Sequence, residues 1–281
     1  MEHNEEHQRR QNRERIIHSP SYRLAYQDID FLMRSELRPQ RMGLELLKPE
    51  IYFAEHGIES TIVVFGSTRI VEPAEAAKKV ERAKARLAGT PDDRRRQRAL
   101  DKAVRLAAKS KYYDMARQFA QIVSAAQTEK KRQYVIVTGG GPGIMEAANR
   151  GAFDMGAKSV GLNIHLPQEQ QPNPFITPEL CFQFRYFAMR KMHFLLRAKA
   201  LVVFPGGYGT FDELFEVLTL RQTKRMQKIP VILFGREFWQ QVVNFEFLAD
   251  EGTIDDEDLD LFQYADSAEE AWEMIRQFHH E

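Results

Sequence analysis

The chain has 281 residues, 43 % of them hydrophobic and 28 % charged, which is ordinary for a globular protein. A chain of this size can bury a substantial core, so wholesale disorder is excluded. Forty basic and forty acidic side chains give a formal net charge of zero, which argues against a protein that binds nucleic acid through its overall charge.

Cysteine content and apolar runs exclude further classes. Cys181 is the only cysteine, so an intrachain disulfide and a cysteine-rich metal site are both excluded. The charged first fifteen residues lack the apolar stretch of a signal peptide. The longest apolar runs have the length of strands, well short of the roughly 20 residues that cross a bilayer. We therefore expect a cytoplasmic protein with no membrane association.

The first part of the chain separates into an arm and a helical extension. Residues 1–20 are polar without a hydrophobic period and predict a disordered arm. Residues 21–57 carry leucines at mixed helical spacings, punctuated by Pro39 and Pro49. This pattern predicts a helical N-terminal extension, followed by one catalytic domain over residues 58–281.

That domain begins with a buried strand, residues 61–65, which ends in Gly66-Ser67. The crossover helix expected next is delayed by residues 74–110, which are rich in Ala, Lys and Arg and interrupted by the sequence Gly-Thr-Pro-Asp at 89–92. We predict a helical hairpin inserted into the domain. It holds twelve basic and five acidic residues, a net charge of +7.

Apolar strands then alternate with amphipathic helices to the end of the chain. This alternation is typical of a parallel sheet covered on both faces, so we predict a Rossmann-like, doubly wound α/β domain. The predicted strands are 134–138, 159–164, 181–184, 201–204, 230–234 and 261–264; the predicted helices are 112–126, 144–155, 187–198, 211–223, 237–249 and 268–279.

The stretch 246–260 holds eight acidic residues among fifteen. We interpret it mainly as a solvated face and loop. An alternative hypothesis is that this stretch and the basic insert form contacts between subunits.

A first glycine loop, residues 139–143, follows a predicted strand and opens a helix. Consecutive glycines let backbone N–H groups approach an anion, and the helix N-terminus adds partial positive charge, so the loop favours phosphate binding. It is not the dinucleotide fingerprint, because Ile144 occupies the position of the third glycine, and no Gly-Lys-Ser/Thr of a P-loop follows. The alternative is a tight strand-to-helix turn.

A second glycine loop, residues 205–210, also follows a strand and opens a helix. Its amides and the Thr210 hydroxyl suit a phosphate or sugar oxygen. Glu213 lies three residues after Thr210, which is the spacing of a capping box. Its alternative role is a carboxylate that faces a ligand crevice between the two loops.

These motifs resemble those of the LOG (Lonely Guy) family. Residues 205–213, Pro-Gly-Gly-Tyr-Gly-Thr-Phe-Asp-Glu, match the family signature PGGxGTxxE, and Met189-Arg190-Lys191-Met192 is similar to its Arg-Lys pair. The first glycine loop and Gly66-Ser67 also fit. The resemblance covers residues 58–250, and the helical extension and basic insert are similar to the longer bacterial branch.

The resemblance implies a fold, a reaction and a set of residues. LOG proteins, often mislabelled lysine decarboxylases, are nucleoside 5′-monophosphate phosphoribohydrolases, and the substrate implied here is AMP or N6-modified AMP, as in cytokinin biosynthesis. Arg190 and Glu213 are the implied catalytic residues, because an oxocarbenium-like sugar needs a nearby carboxylate. No cofactor and no metal ligand is expected. The implied substrate-binding residues are Gly66, Ser67, Gly140, Gly141, Gly143, Met145, Glu169, Lys191, Pro205, Gly206, Gly207, Tyr208, Gly209 and Thr210.

Two other functions remain open at this point. A non-catalytic protein of the same fold could carry a phosphorylated ligand such as molybdenum cofactor. The basic insert could instead bind nucleic acid or a protein partner, although its helices lack interleaved aromatic residues. Since helix 187–198 is apolar nearly all round, we also expect a homo-oligomer, a dimer or a hexamer.

Overall fold

The computed structural model describes residues 2–127, 132–166 and 171–279, and its chain divides into two units, Met1–Lys48 and Pro49–Glu281. The division falls within the long helix α3, nine residues before the predicted start of the catalytic domain at residue 58. Within the described ranges, no helix has the length and apolar character needed to span a membrane.

The first unit is helical. It contains α1 (Glu2–Ile17), α2 (Ile29–Leu32) and the start of α3 (Arg38–Glu55), with short 3₁₀ turns between them. Residues 1–20 were expected to be a disordered arm, and the structure instead forms α1 there. Its Glu, Arg and Gln residues have good helix propensity, and an Arg9–Glu5 pair at 2.6 Å adds an i,i+4 contact. Hydrophobic periodicity misses such a helix because it has no apolar face.

The second unit is built on a seven-stranded sheet in which every pair of neighbouring strands is parallel. The strand order is β4-β3-β2-β1-β5-β6-β7. This confirms the predicted doubly wound α/β fold. The strands are β1 (Thr61–Phe65), β2 (Val135–Thr138), β3 (Ser159–Ile164), β4 (Cys181–Phe184), β5 (Ala198–Val203), β6 (Val231–Phe234) and β7 (Gln263–Ala265).

Helices connect the strands and cover the sheet. The helices of this unit that follow α3 are α4 (Pro73–Ala88), α5 (Arg94–Ala108), α6 (Lys111–Ala125), α7 (Ile144–Asp154), α8 (Phe187–Leu196), α9 (Tyr208–Gln222), α10 (Arg236–Val242), α11 (Phe245–Asp250) and α12 (Ala268–His279).

One predicted helix proves to be two. The sequence predicts a continuous helix over 237–249, but α10 ends at Val242 and α11 begins at Phe245. The side chain of Asn244 accepts a hydrogen bond from the Phe247 amide at 3.1 Å, so Asn244 caps a new helix.

Helices α4 and α5 form the predicted hairpin, called the basic hairpin below. Asp93 caps α5 by accepting hydrogen bonds from the amides of Arg95 and Arg96. Ala76 is the only buried residue of α4, and α5 buries none. The basic hairpin therefore contributes little to the core of the domain.

The core lies on both faces of the sheet. In β1, Ile62 and Val64 belong to one hydrophobic cluster, and Val63 and Phe65 belong to the other. Successive side chains of a strand point to opposite faces, so a strand buried on both sides must be apolar throughout. This explains why the predicted strands are continuous apolar runs.

A buried polar network fixes the first glycine loop against β3. The fully buried Asn149 of α7 accepts hydrogen bonds from the Thr138 hydroxyl at 2.7 Å and from the Asn173 side chain at 2.9 Å. Its own amide donates to the Ser159 hydroxyl at 3.0 Å. Thr138 in turn accepts a hydrogen bond from the Gly140 amide. The loop conformation therefore depends on a fully satisfied set of buried polar groups.

Replacing Asn149 by Ala should lower the free energy of unfolding by about 3 kcal/mol, because it leaves several buried donors and acceptors unpaired. Urea denaturation followed by circular dichroism measures the change. Gln241→Ala, at an exposed position of α10, is the control and should stay within about 0.5 kcal/mol of the parent protein. Equal midpoints for the two variants would contradict the importance of this network.

Candidate active site

The strand order places three loops side by side at the carboxyl edge of the sheet. The chain runs outward from β1 through β2, β3 and β4, and then returns to the other side of β1 with β5. Open α/β sheets bind ligands where the strand order reverses in this way. Gly66-Ser67 lies in the loop after β1. The first glycine loop follows β2, and the second glycine loop follows β5.

Ser67 joins these three loops through its backbone. Its amide donates to the Pro205 carbonyl at 3.0 Å, and its carbonyl accepts from the Ile144 amide at 3.1 Å. The Ser67 hydroxyl accepts a hydrogen bond from the Arg69 amide at 3.1 Å. The two glycine loops therefore hold fixed positions relative to each other.

Two glycines are required by close approach. Gly143 has a φ of +75°, and a Cβ atom there would collide with the Ser67 carbonyl oxygen. A Cβ atom on Gly206 would collide with the side chain of Thr210. A larger residue at either position would displace a loop that borders the crevice.

The loops enclose a cavity of about 980 Å³. This volume is within the usual range for small-molecule sites. Eleven residues named from the sequence line it: Gly66, Ser67, Gly141, Met145, Arg190, Gly206, Gly207, Tyr208, Gly209, Thr210 and Glu213.

The remaining predicted residues have other positions. Gly140, Gly143 and Pro205 belong to the same loops but do not line the cavity, and Lys191 borders a neighbouring shallow surface instead. Glu169 lies outside the described residues.

Sequence reasoning missed several lining residues. Thr68 and Arg69 follow Gly66-Ser67 directly. Their position just after a strand and a glycine could have identified them as lining residues. Asn163 stands one residue before the end of β3, next to the carboxyl edge of the sheet. The apolar lining residues had no distinct signal because they match ordinary strand and helix positions; they are Phe65, Ile164, Leu166, Phe187, Phe194, Phe211 and Val242.

Glu213 is the buried ionisable group of the cavity. It is 6 % exposed and lies on the second turn of α9. Its carboxylate is 3.5 Å from the Arg190 guanidinium and 3.9 Å from the Lys191 ammonium. Burial raises the pKa of Glu213 to about 7, even though the two neighbouring cations act to lower it.

Arg190 reaches Glu213 from α8. Its guanidinium lies over the rings of Phe187 and Phe194, at 5.1 Å and 5.6 Å from their centroids. Burial lowers the pKa of Arg190, while Glu213 acts to raise it. The buried Arg190 Nε has no hydrogen-bond partner among the described residues, which leaves a donor for a ligand or water.

Lys191 lies beside Glu213 and also contacts two further carboxylates. Its ammonium lies 2.9 Å from Asp212 and 3.0 Å from Glu216. Burial acts to lower the pKa of Lys191, but hydrogen bonds to these two carboxylates raise it overall. Lys191 therefore remains a cation and contributes positive potential to Glu213.

The capping alternative for Glu213 is not realised. Helix α9 begins at Tyr208, three residues earlier than predicted, and Gly207 stands at its N-cap. The Thr210 amide donates to the Gly207 carbonyl at 2.9 Å. Glu213 is therefore well inside the helix, and its side chain turns toward Arg190 rather than back to the helix start.

The arrangement combines two chemical capabilities. Backbone amides at the starts of α7 and α9 supply donors for an anion. A buried carboxyl that titrates near neutral pH can stabilise a developing positive charge and accept a proton.

The family model described as "Possible lysine decarboxylase" matches residues 145–275. The matched region includes Arg190, Glu213 and the whole second glycine loop. Two curated relatives from Arabidopsis thaliana are the cytokinin riboside 5′-monophosphate phosphoribohydrolases LOG2 and LOG3. They are 25 % and 26 % identical over 60 % of this chain, and the alignments cover 78 % and 77 % of their lengths.

Two solved structures are also similar. One is the molybdenum cofactor binding protein from the phototrophic bacterium Rippkaea orientalis, at 20 % identity and a TM-score of 0.43, covering 59 % of this chain and 87 % of that one. The other is the Moco carrier protein from Chlamydomonas reinhardtii, at 17 % identity and a TM-score of 0.38, covering 59 % and 86 %.

The matched family model and the curated relatives agree with the motifs of the second glycine loop and the Arg-Lys pair. By these matches and motifs the chain is similar to the LOG family.

Proposed function

We propose that this protein hydrolyses the N-glycosidic bond of nucleoside 5′-monophosphates, with AMP or an N6-modified AMP as substrate. The products are a free base and ribose 5-phosphate. The observation that carries the proposal is the buried Glu213 carboxyl, which has a pKa of about 7 and faces a nucleotide-sized cavity beside Arg190. The names of the curated relatives support the reaction class.

The 5′-phosphate is assigned to the glycine loops. Residues of both loops, including Thr210, line the cavity, and helices α7 and α9 begin beside it. Both helix N-termini favour a dianionic group. Binding the phosphate at this edge orients the ribose toward Glu213 on the second turn of α9.

The reaction then needs charge stabilisation and a base. As the C1′–N bond breaks, its electron pair leaves with the base, which takes up a proton from solvent, and positive charge develops on the ribose. The Glu213 carboxylate stabilises this charge and accepts a proton from the water whose oxygen bonds to C1′. Arg190 positions the Glu213 carboxylate through their contact at 3.5 Å.

A carrier of a phosphorylated ligand is the competing function. Such a protein would use the same glycine loops but would not require a carboxyl with a raised pKa at the cavity wall. The retention of both Arg190 and Glu213 favours the enzyme. Incubation with a panel of nucleoside monophosphates, followed by chromatography of free base, distinguishes the two, because a carrier releases none.

We also propose that the enzyme is a homo-oligomer of two or more subunits. Met192 and Leu196, four residues apart on α8, are 44 % and 47 % exposed. Neighbouring large apolar side chains at a helix surface favour cover by another subunit. Because Arg190 belongs to the same helix, that interface would lie next to the catalytic residues.

Glu213→Gln should lose base release by roughly 10²- to 10⁴-fold, because a neutral amide can neither accept the water proton nor stabilise the developing cation. The kcat for AMP hydrolysis measures the effect. Gln222→Ala, at the far end of α9, is the control and should retain its activity. Activity of Glu213→Gln within about threefold of the parent, a barrier change of about 0.65 kcal/mol, would refute the assigned role.

The pH profile should report the raised pKa of Glu213. If its carboxylate is the base, kcat rises about tenfold per pH unit below the transition and levels off above a pH of about 7. Initial rates between pH 5 and 9 test this. A plateau that already begins near pH 5 would exclude Glu213 as the titrating base.

The same pKa affects stability. The protonated form of Glu213 is favoured by the folded state, so its contribution to the free energy of unfolding is fully present below a pH of about 4.5 and is lost as the pH rises through about 7. Relative to Glu213→Gln, the parent protein should lose on the order of 2 kcal/mol over this interval. Urea denaturation of both proteins at pH 5 and 8 measures this difference, and a constant difference would contradict the raised pKa.

Nucleotides should be cleaved and nucleosides ignored, since the glycine loops are assigned to the 5′-phosphate. The kcat/KM for AMP should exceed that for adenosine by at least about 10³-fold, which corresponds to about 4 kcal/mol. Comparable turnover of the two compounds would remove the reason for placing phosphate at the loops.

A further inference from the structure

The basic hairpin carries cations that the rest of the chain does not neutralise. Of its twelve basic residues, Lys78, Arg82, Lys84 and Arg96 form ion pairs. The other eight have no ion-pair partner among the described residues. A hairpin that buries almost nothing and retains this much unpaired charge has a surface suited to an acidic partner.

Three of the eight unpaired cations, Lys79, Arg86 and Arg95, line a groove between α4 and α5. The groove has a volume of about 710 Å³, and alanines form its apolar part. No carboxylate lines it within the part of the chain that the structure describes. Its charged walls are Lys79, Arg82, Arg86, Arg95 and Arg96.

A second surface has the opposite character. Residues 246–260, called the acidic segment below, contain eight carboxylates and no Lys or Arg, a net charge of −8. None of the eight forms an ion pair with any described residue. Most of the segment is exposed, and Phe247, an aromatic residue among these acids, is 53 % exposed.

We propose that the basic hairpin of one copy docks onto the acidic segment of a second copy. The charges of +7 and −8 nearly cancel, and no ion pair between described residues joins the two surfaces within one chain. A two-fold arrangement would make the contact twice, because each copy offers both surfaces. Docking of copies accounts for both unpaired surfaces at once.

A polyanion such as a nucleic acid is the other occupant that the basic hairpin could accept. It would leave the acidic segment without a partner and would be repelled by it. The chain as a whole has zero net charge, so its overall charge would not attract a polyanion. The observations therefore favour the second copy.

Charge-swap variants test the proposal. The hairpin-reversed variant carries Lys79→Glu, Arg86→Glu and Arg95→Glu, and the segment-reversed variant carries Asp250→Lys, Asp256→Lys and Glu257→Lys. A third variant combines all six changes. The matched control, Arg10→Glu, Arg13→Glu and Arg15→Glu in α1, reproduces the charge change of the hairpin-reversed variant elsewhere. Circular dichroism checks that each variant is folded.

Sedimentation velocity at 50 mM and 1 M NaCl gives the assembly size. The Debye length shortens to about 3 Å at 1 M salt, which weakens attraction between charged surfaces. The parent assembly should therefore become smaller at 1 M NaCl. Each reversed variant should associate at least tenfold more weakly than the parent at 50 mM. The control should match the parent.

Rescue distinguishes a specific contact from a general charge effect. The six-fold variant should regain association, and an equimolar mixture of the two reversed variants should form mixed assemblies, because opposite charges then face each other again. Failure of both rescues, or an assembly size that neither salt nor reversal changes, would overturn the proposal.

The polyanion alternative has its own measurement. Fluorescence anisotropy with a labelled 20-nucleotide single-stranded DNA at 150 mM NaCl should show no binding that depends on Arg86 and Arg95. Tight binding by the parent that the hairpin-reversed variant loses, while assembly size stays constant, would reassign the hairpin to nucleic acid and overturn the proposal.

Discussion

The site depends on the position of β1 between β2 and β5. Because all three strands are parallel and adjacent, their carboxyl ends meet at one edge, and the loops that follow them can share backbone hydrogen bonds. Ser67 makes those bonds in both directions, to Pro205 and from Ile144. Gly143 is needed because a Cβ atom there would collide with the Ser67 carbonyl of the neighbouring loop, and Gly206 because a Cβ atom would collide with the Thr210 side chain of the same loop. The position of the crevice between the three loops thus follows from strand order.

Burial of Glu213 in the folded protein opposes the charged form that the proposed reaction requires. A buried carboxylate loses hydration, and the nearby cations do not fully compensate, which is why its pKa rises to about 7. Lys191 is largely occupied by Asp212 and Glu216, and Arg190 is itself desolvated. The protein therefore holds an ionisable group in an environment that opposes its charge, an arrangement typical of catalytic groups.

Much of this organisation could be predicted from the sequence. Continuous apolar runs identified the strands, and glycine clusters identified two of the three loops, because both patterns have direct steric causes. The break at Asn244 was missed, since a side-chain cap within an amphipathic pattern does not alter the hydrophobic period. Helix α1 was missed for a related reason, because it has no apolar face to detect.

The features of the site that could not be predicted from the sequence have a different cause. The raised pKa of Glu213 depends on burial between α8 and α9, and spacing along the chain does not reveal burial. Arg69 and Asn163 line the cavity only because β1 and β3 end at the same edge. The resemblance to the LOG family identified Arg190, which residue type and periodicity alone would have assigned to a solvated helix surface.

The basic hairpin is inserted between β1 and α6 and buries only Ala76. Such an insertion can be lengthened, shortened or lost during evolution without disturbing the sheet, because few core contacts depend on it. The catalytic edge and the hairpin surface can therefore diverge independently. Related chains can therefore keep the same reaction while they change their binding partners.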